Sequence, residues 1–462
     1  MTHLKTDYLV VGSGAMGMAF VDTLLSDSDA DIILIDRFAK PGGHWNNAYP
    51  FVTLHQPSQF YGVPSKELSQ GRIDTLGLNK GLGDLATGAE ILAYFEDVMR
   101  NRFLTSGRVR YFPLCDYQGD GKFVNTLSGE EFEVEHDKLV DATFLKTSVP
   151  STHTPNFTIA PEARFMPLND LPKLAEPAAG YVIIGGGKTG IDAALWLLEM
   201  GVPADDITWI MSRDAWLLNR ENTQPTMEFF EQAMGAQAGQ FESIASAETP
   251  EDMFLKLEAC GYFLRLDPNV LPEMFHGATI SPMEVEELRK IKNIIRLGRV
   301  VHLGENEITL VQGTIPTSPN HIHVDCSASA INHKDIKPVF QGKLITPQTV
   351  RAYQPVFSGS MIAHIEASDR TEAEKNALCG VVPIPDTLHD YMRMTAANMM
   401  NQVLWGQDKE IRKWMVGNRL DGFSKMVSEV DPDDSAKVDV LKRMRAAGMP
   451  AMMKLQQFLA AN

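Results

Sequence analysis

Two glycine clusters are the residues of this chain whose spacing indicates a specific chemistry. Each follows an apolar run of strand length and has the spacing G-x-G-x-x-G. The members are Gly12, Gly14 and Gly17 in the first cluster and Gly185, Gly187 and Gly190 in the second. Such a turn lets a pyrophosphate approach the backbone and presents the N-terminus of a helix to it. We therefore predict two dinucleotide-binding units, a combination that favours electron transfer from a nicotinamide to a flavin.

An acidic residue completes the first unit. The apolar run Ile32–Ile35 reads as the second strand of this unit and leads into Asp36, 24 residues after Gly12. A carboxylate at this place binds the hydroxyls of a ribose. Strand, glycine turn, helix, strand and terminal acid together form a complete nucleotide-binding pattern.

The second unit lacks this acid, because Met211 stands where Asp36 stands in the first. Without a carboxylate there is no repulsion of a ribose 2′-phosphate, and Arg213 can pair with that phosphate. Lys188, inside the glycine turn, can assist. We therefore predict NADPH rather than NADH in this unit. The residues expected to bind it are Gly185, Gly187, Lys188, Thr189, Gly190, Ser212 and Arg213.

Two further segments indicate how the units are connected. Lys138–Thr143 precedes the second unit and His323–Ser327 follows it, and both read as an apolar strand that ends in Asp and a small residue. They predict that the second unit is inserted into the first, which resumes near Asp325. An added stretch of the chain, at about 215–296, predicts helices that form either a substrate wall or a structural cap. The apolar residues that suggest these helices are Phe229, Phe230, Met234, Phe254, Leu257 and Phe263.

The residues after Asp36 carry a resemblance to a known family. Arg37 is followed by Pro41-Gly-Gly-His-Trp45, and together with the two glycine clusters this segment resembles the class B flavoprotein monooxygenases, which include the flavin-containing and Baeyer–Villiger monooxygenases. The resemblance implies FAD in the first unit and NADPH in the inserted one. It also implies that the Gly-Gly backbone approaches the flavin and that Trp45 forms a flat apolar wall. The residues expected at FAD are Gly12, Gly14, Ala15, Met16, Gly17, Asp36, Arg37, Gly42, Gly43, His44 and Trp45.

The loop Phe51–Pro64 carries two candidate catalytic residues, His55 and Gln56, inside an apolar and proline-bounded segment. In the family the corresponding stretch crosses the isoalloxazine and carries an Asn that hydrogen-bonds the nicotinamide and the oxygenated flavin. Gln56 resembles that residue position for position, and its amide makes the same hydrogen bonds with one more methylene of reach. The alternative is a structural loop whose polar groups are satisfied within the fold.

The sequence departs from the family pattern before the second glycine cluster. Phe165–Leu171 has neither the Gly nor the His of the family segment, and the usual Ala-Thr-Gly is Ala142-Thr-Phe144. The departures leave the two-cofactor fold in place and keep other reactions open. A halogenase would need a lysine that traps hypohalous acid, for which Lys146 is the candidate; the alternative for Lys146 is an exposed residue of a connection.

The expected fold is α/β, with two Rossmann-like dinucleotide-binding domains, the NADPH domain inserted in the FAD domain, and a helical insertion. The expected ranges are 1–175 for the first part of the FAD domain, 176–324 for the NADPH domain, and 325–462 for the second part with C-terminal helices. The resemblance implies an NADPH-reduced monooxygenase that oxidises a small organic molecule through a flavin C4a-(hydro)peroxide. The alternatives are a single-component flavin-dependent halogenase, an NAD(P)H-dependent flavin reductase or quinone oxidoreductase, and a flavin-binding protein without activity.

Composition and charge exclude several classes of protein. The 462 residues include 42 Lys and Arg against 59 Asp and Glu, a net charge of −17, so nucleic acid is not an expected partner. The 4 cysteines stand far apart, which excludes a zinc ribbon and a C-x-x-C dithiol, and no metal is predicted. No apolar run is long enough to span a membrane. We expect a cytoplasmic enzyme whose partners are O2 and a small molecule, and a homo-oligomer is compatible with the sequence.

Overall fold

The computed structural model of the chain describes residues 1–331 and 335–461; residues 332–334 and 462, which fall in the predicted range 325–462, lie outside the described residues. Its strands are β1 (Thr2–Val11), β2 (Ile32–Ile35), β3 (Gly62–Val63), β4 (Lys66–Glu67), β5 (Val109–Phe112), β6 (Cys115–Gly119), β7 (Lys122–Asn125), β8 (Glu131–Asp141), β9 (Thr158–Ile159), β10 (Phe165–Pro167), β11 (Gly180–Ile184), β12 (Ile207–Ile210), β13 (Ala215–Asn219), β14 (Phe263–Leu264), β15 (Met274–Ile280), β16 (Ile294–Ile295), β17 (Val300–Leu303), β18 (Glu307–Leu310), β19 (Gly313–Pro316), β20 (His321–Asp325), β21 (Phe340–Gln341) and β22 (Leu344–Ile345). Its α-helices are α1 (Ala15–Asp27), α2 (Gly88–Val98), α3 (Lys188–Glu199), α4 (Phe230–Ala245), α5 (Pro250–Ala259), α6 (Pro282–Leu288), α7 (Pro355–Glu366), α8 (Glu372–Leu378), α9 (Leu388–Gln407), α10 (Lys409–Gly417), α11 (Ser424–Ser428) and α12 (Ser435–Ala460). Among these helices none is both long and apolar enough to cross a membrane.

The first glycine cluster connects β1 to α1 in a sheet of strand order β21-β22-β8-β1-β2-β5. β1 runs parallel to β2 and β8, and β22 runs parallel to β8. Both faces of the sheet are covered, since Val10 packs with α1 and α7 while Leu9 and Ile33 pack with the hairpin β6–β7. Gly359 of α7 permits a close approach to α1, because a Cβ there would lie 2.5 Å from the backbone oxygen of Met16.

The second glycine cluster connects β11 to α3 in a sheet of five parallel strands, in the order β10-β20-β11-β12-β16. All of these strands come from residues 165–325, and the first sheet then receives β22 at Leu344–Ile345. Asp141 pairs with Val11 in the first sheet, and Asp325 pairs with Ile184 in the second. The two segments that read as crossings between the units therefore lie at equivalent places, each beside the strand that carries the glycine turn.

The predicted α/β fold class is confirmed by these two sheets, the first parallel from β22 to β5 and the second parallel throughout, each with a glycine turn after an internal strand. Phe165–Pro167 forms β10 of the second sheet, although it precedes residue 176, where the second domain was expected to begin. A strand this short has no alternation that would reveal it in the sequence. The exact division into domains stays a prediction.

Residues 215–296 contain strands as well as helices. The helices α4, α5 and α6 lie in this range, and β14-β13-β15 form a three-stranded sheet in the same range. Phe263, one of the residues that suggested a helix, lies in β14, where its ring packs against Trp216 and Tyr391. The insertion is therefore mixed α/β rather than helical, and its α4 packs against the C-terminal α12.

Candidate functional site

Both glycine turns use their first and third glycines in the same way. The first has a left-handed backbone, with φ of +102° at Gly12 and +133° at Gly185. A Cβ on Gly185 would lie 2.2 Å from the backbone oxygen of Cys326 in the neighbouring segment. A Cβ on Gly17 or Gly190 would lie 2.1 Å from the oxygen of the first glycine of its turn. The fold itself therefore excludes side chains at these positions.

The middle glycine of each turn is not crowded by the fold. A Cβ on Gly187 would meet nothing within 4 Å, and one on Gly14 would meet only the Cα of Gly43, at 3.6 Å. Gly14 and Gly187 are also the N-caps of α1 and α3, and no side chain caps either helix. The first N–H groups of both helices are available to a phosphate, so the turns fit the pyrophosphates of two dinucleotides. The first helical turns carry the predicted residues Ala15, Met16, Lys188 and Thr189.

The carboxylate of Asp36 is bound by its own chain. Its Oδ2 accepts hydrogen bonds from the backbone N–H and the hydroxyl of Ser13, at 2.5 and 2.8 Å, and its Oδ1 accepts one from the N–H of Phe38 at 2.8 Å. Asp36 is buried, whereas Arg37 is exposed. Asp36 thus orders the first turn, and Oδ1 keeps acceptor capacity for a ribose hydroxyl.

The loop that was expected at the flavin closes onto the first turn. The N–H of Gly42 donates to the carbonyl of Ser13 at 2.9 Å. The backbone is left-handed at both glycines, with φ of +119° at Gly42 and +58° at Gly43, and a Cβ on Gly43 would lie 2.8 Å from the Cα of Gly14. Both glycines are therefore required by the conformation of the loop itself, and at Gly43 also by its packing against the turn.

His44 and Trp45 lie in the short 3₁₀ helix Gly43–Asn47 that follows. The two rings stack with 5.1 Å between centroids, and Nε1 of Trp45 donates to the hydroxyl of Tyr61 at 2.6 Å. Trp45 is buried, so its ring is fixed on one side by the core and bounded on the other by the cavity described below.

The residues expected to read a 2′-phosphate lie beside the second turn. A Cβ on Gly186 would lie 2.6 Å from Cγ of the buried Met211 and 3.5 Å from the backbone oxygen of Arg213. The side chain of Arg213 is exposed and that of Ser212 is partly exposed. The backbone of Arg213 thus lies beside the turn, and its side chain is exposed on the surface next to it.

Two other charges near this turn are already paired. Lys188 pairs with Asp192, one helical turn further along α3. Asp214 accepts hydrogen bonds from Nε and Nη2 of Arg296, at 2.6 and 3.0 Å. Arg213 has no such carboxylate partner within the described part of the chain, which leaves its charge free for a phosphate.

A cavity of about 330 Å³, here called the first cavity, brings predicted residues of both units together. The loop of the first unit contributes His44, Trp45, His55 and Gln56, and the N-terminal turn of α3 contributes Thr189. A site that both glycine units reach is the arrangement expected where a nicotinamide and a flavin meet.

The polar side chains of this cavity are uncharged at neutral pH. Burial lowers the pKa of His44 to about 4. Burial also lowers the pKa of His55 well below its usual range, and the positive charges of Lys188 and Arg220 lower it further. The amide of Gln56 has no hydrogen-bond partner among residues 1–331 and 335–461, so it is free to bind a ligand.

One wall of the first cavity comes from segments that sequence reasoning missed. Thr147–Pro150, Ala328 and Ala330 line it, together with Tyr353–Val356 at the beginning of α7. Pro355 at the first position of α7 is a typical sign of a helix N-terminus. Nothing in the sequence, however, indicates that this helix begins at the cavity.

A second cavity, of about 490 Å³, adjoins the first. Gln56, Phe60, Tyr353 and Gln354 line both cavities. The other walls of the second cavity come from the insertion, from Arg351 and Ala352, and from the helices α9 to α12. Lys146, the remaining candidate catalytic residue, lines neither cavity; its side chain is exposed, and its neighbour Thr147 lines the first cavity instead.

Comparison with known proteins finds relatives without an assigned activity. The uncharacterized protein Rv2000 of Mycobacterium tuberculosis (strain ATCC 25618 / H37Rv) is 42% identical to this chain over 442 residues, which are 96% of this chain and 81% of that protein. The uncharacterized protein Mb2023 of Mycobacterium bovis (strain ATCC BAA-935 / AF2122/97) has the same identity over the same shares. No protein-family model matches the chain.

Solved structures are less similar to this chain than these relatives are, in sequence identity. A flavin-containing monooxygenase from Stenotrophomonas maltophilia is 13% identical, with 82% of this chain and 100% of that chain covered and a TM-score of 0.43. An open crystal structure of cyclohexanone monooxygenase is 14% identical, with 88% and 99% covered and a TM-score of 0.49. The bacillithiol disulfide reductase Bdr of Staphylococcus aureus is 13% identical, with 80% and 100% covered and a TM-score of 0.47. Overlaps this weak do not assign an activity.

Proposed function

This chain belongs to the family of the uncharacterized Mycobacterium tuberculosis protein Rv2000, and we propose that it is an FAD-dependent oxidoreductase that NADPH reduces and that uses O2 to oxygenate a small organic molecule. The proposal rests on the residues that line the first cavity. Trp45 and Gln56 of the first unit and Thr189 of the second line this one space. A shared space of this kind supports hydride exchange between two bound dinucleotides.

The residues around the two turns fit the two cofactors. Gly14 and the first turn of α1 would hold the pyrophosphate of FAD, and Trp45 would bound its ring system. Gly187 and the first turn of α3 would hold the pyrophosphate of NADPH, with Arg213 at the 2′-phosphate. When bound, FAD accepts a hydride from NADPH and passes its electrons to O2.

The chain itself contributes orientation and exclusion of water. The first cavity is walled by apolar side chains such as Val52, Leu54 and Phe60. His44 and His55 are neutral, and the Gln56 amide is free, so the wall offers hydrogen bonds without fixed charge. A wall that is mainly apolar and uncharged holds water poorly, and exclusion of water favours transfer of oxygen to a substrate over release of hydrogen peroxide. This property supports oxygenation rather than plain reduction of an acceptor such as a quinone.

The halogenase alternative has no support from the position of Lys146. A hypohalous acid would have to reach an ammonium group near the flavin, but no lysine of the described chain lines either cavity. Lys146 is exposed to solvent. Oxygenation and plain reduction of an acceptor are the two reactions that the experiment below distinguishes.

The test is a reduction and reoxidation experiment on the purified protein. We expect one FAD per chain and anaerobic bleaching of the flavin by NADPH. The reduced protein is then mixed with O2 or with benzoquinone at equal concentration. An oxygenase is reoxidised by O2 at least as fast as it turns over, whereas a reductase reacts rapidly with the quinone and slowly with O2. A protein that takes up no FAD, or that NADPH does not bleach, would contradict the proposal.

A further inference from the structure

The second cavity has walls that come from outside the two dinucleotide units. The insertion contributes Met234 and Gln237 of α4, and the C-terminal region contributes Met394 and Asn398 of α9. A volume of about 490 Å³ lies in the range of sites for small organic ligands. Because neither glycine turn reaches this space, it is suited to a ligand other than the two cofactors.

The walls of this cavity are apolar and adaptable. Methionine side chains are flexible and polarizable, and they fit their shape to different ligands. Five methionines line the second cavity: Met234, Met394, Met399, Met415 and Met444. This composition favours a ligand with a substantial hydrocarbon part.

Among the described residues, the second cavity has two charged side chains in its lining, of which one is paired with a carboxylate and the other is exposed to solvent. In the described chain, arginine is the only charged residue type in its lining. Nη1 of Arg351 pairs with Oδ1 of Asp421 at 2.5 Å, and the guanidinium lies 4.1 Å from the ring centroid of Phe357. Nη1 of Arg412 donates to the backbone carbonyl of Gly406 at 2.7 Å. A cationic ligand would find no carboxylate in this lining, and the charge of Arg412, which has no carboxylate partner in the described chain, is exposed to solvent. Within residues 1–331 and 335–461, the lining therefore disfavours a cation and leaves no buried, unpaired charge for a ligand to neutralise.

One polar group at the junction of the two cavities is unsatisfied. Tyr353 lines both cavities, and its hydroxyl is buried without a hydrogen-bond partner in the described chain. Burial raises the pKa of Tyr353, and the neighbouring phenols of Tyr262 and Tyr391 raise it further, so the hydroxyl keeps its proton. Tyr262 itself lines the second cavity. A buried donor without an acceptor is unfavourable, and an oxygen atom of a ligand in the adjoining space would satisfy it once the side chain shifts toward that space.

The backbone holds this phenol in an unusual conformation. The φ of Tyr353 is +62°, in the left-handed region that a bulky side chain rarely adopts. The preceding N–H, of Ala352, donates to Oδ1 of Asn398 at 3.0 Å. Gly277 gives the ring room, since a Cβ there would lie 3.2 Å from its Cε1. Strain of this kind, held in place next to a cavity, is typical of residues that bind ligands.

We propose that the second cavity binds the organic substrate, an uncharged and mostly apolar molecule whose oxygen atom accepts a hydrogen bond from the Tyr353 hydroxyl. Tyr353 is then a specificity-determining residue at the opening toward Gln56, which lines both cavities. That the bound molecule is the substrate rests on the proposed function, whereas its binding in the second cavity does not.

The experiment measures binding to the oxidised, FAD-loaded protein by calorimetry, in the absence of NADPH. The probes are 4-phenyl-2-butanone and n-butylbenzene, which share one carbon skeleton and differ in a carbonyl oxygen, together with the 4-phenylbutylammonium cation. We expect the hydrogen bond to raise the ratio of ketone affinity to hydrocarbon affinity in the wild type about tenfold above the ratio in a variant without the hydroxyl. We expect the cation to bind more weakly than the ketone.

Two variants locate the site. Tyr353→Phe keeps the ring and should lower the affinity for the ketone about tenfold while leaving the affinity for n-butylbenzene within about twofold. Met234→Trp reduces the volume of the second cavity and should weaken the binding of both 4-phenyl-2-butanone and n-butylbenzene, at unchanged FAD content. The same ketone-to-hydrocarbon ratio in the wild type and in Tyr353→Phe, or unchanged binding by Met234→Trp, would overturn the inference. Failure to take up FAD would contradict the proposed function. In that case the same affinity ratios, measured on the purified protein without FAD, would still decide the inference about the second cavity.

Discussion

Arg220 donates a hydrogen bond from Nε to the backbone carbonyl of His55, at 2.9 Å. The side chain of Arg220 is 1% exposed, and its Nη1 lies 2.8 Å from Oε2 of Glu284. Arg220 follows β13 directly, so this contact joins the insertion to the loop that lines the first cavity. The position of that loop, and of Gln56 within it, depends on a buried ion pair in another part of the chain.

Removal of the Arg220 side chain should destabilise the protein strongly. Arg220→Ala leaves the Glu284 carboxylate buried without its partner, which typically costs about 3–5 kcal/mol. Urea unfolding followed by tryptophan fluorescence measures this loss. Arg220→Met combined with Glu284→Gln removes both charges and should recover part of it. A single variant within about 1 kcal/mol of the wild type would show that the ion pair does not hold the loop.

Alanine at the middle glycine of the second turn should weaken NADPH binding, whereas alanine at the third glycine should destabilise the fold. Gly187→Ala leaves the fold intact, because its Cβ meets nothing within 4 Å, but it occupies space that a pyrophosphate needs. We expect an unchanged melting temperature and NADPH binding weakened about tenfold or more. Gly190→Ala places a Cβ 2.1 Å from the oxygen of Gly185 and should destabilise the fold itself. Equal NADPH affinity in Gly187→Ala and the wild type would separate this turn from coenzyme binding.

Arg213→Ala should discriminate between the two nicotinamide coenzymes. Loss of a charge-assisted hydrogen bond to the 2′-phosphate costs about 1.5–3 kcal/mol, or roughly tenfold to a hundredfold in affinity. The KM for NADPH should rise by that factor, and the KM for NADH should stay nearly the same. Arg299→Ala, another exposed arginine, controls for the change in net charge. A parallel rise for both coenzymes would show that Arg213 does not read the phosphate.

Gln56→Leu should act on the reaction and not on FAD binding. The substitution keeps similar bulk and removes the free amide that lines both cavities. We expect wild-type FAD content, a rate lowered about tenfold to a hundredfold, and more hydrogen peroxide released per NADPH consumed. Peroxide and NADPH are measured in the same assay. A wild-type rate and ratio would remove Gln56 from the site, and loss of FAD would assign the loop to cofactor binding.

Acidification should destabilise the folded protein through the partly buried histidines of the first cavity. The pKa of His44 is about 4 in the folded protein against 6.5 in the reference state, so between these values the unfolded chain binds more protons. The free energy of unfolding should therefore fall as the pH falls from 6.5 toward 4, by up to about 1.4 kcal/mol per pH unit for each such histidine. Urea titrations at several pH values measure the slope, which His44→Gln should reduce. An identical slope in that variant would show that His44 is not buried in neutral form.

The glycine turns could be predicted from the sequence, whereas most of the wall of the first cavity could not. Each turn is determined by residues within six positions of one another, as from Gly12 to Gly17, so local spacing was sufficient to predict it. Tyr353 has no comparable local signal. Its place depends on the packing of α7 against α1, where Gly359 meets Met16 from a distant part of the chain. Tertiary contacts of this kind are not visible in the spacing of one sequence.

The insertion was harder to predict for a different reason. Phe254 and Leu257 lie in α5 as expected, but Phe263 lies in β14. A short apolar run is compatible with a buried helix or a buried strand, and its spacing does not decide between them. Phe263 lies in a strand because β14 pairs with β13, which stands more than forty residues earlier in the chain.

The late return of the chain to the first sheet has a consequence for synthesis on the ribosome. The second sheet is complete once residue 325 has emerged, so that unit can close while the first still waits for β22 and α7. Until then the exposed edge of β8 and the uncovered face of α1 are accessible to other nascent chains or to chaperones. Slow translation between residues 325 and 366 would prolong that interval without altering a single contact of the finished protein.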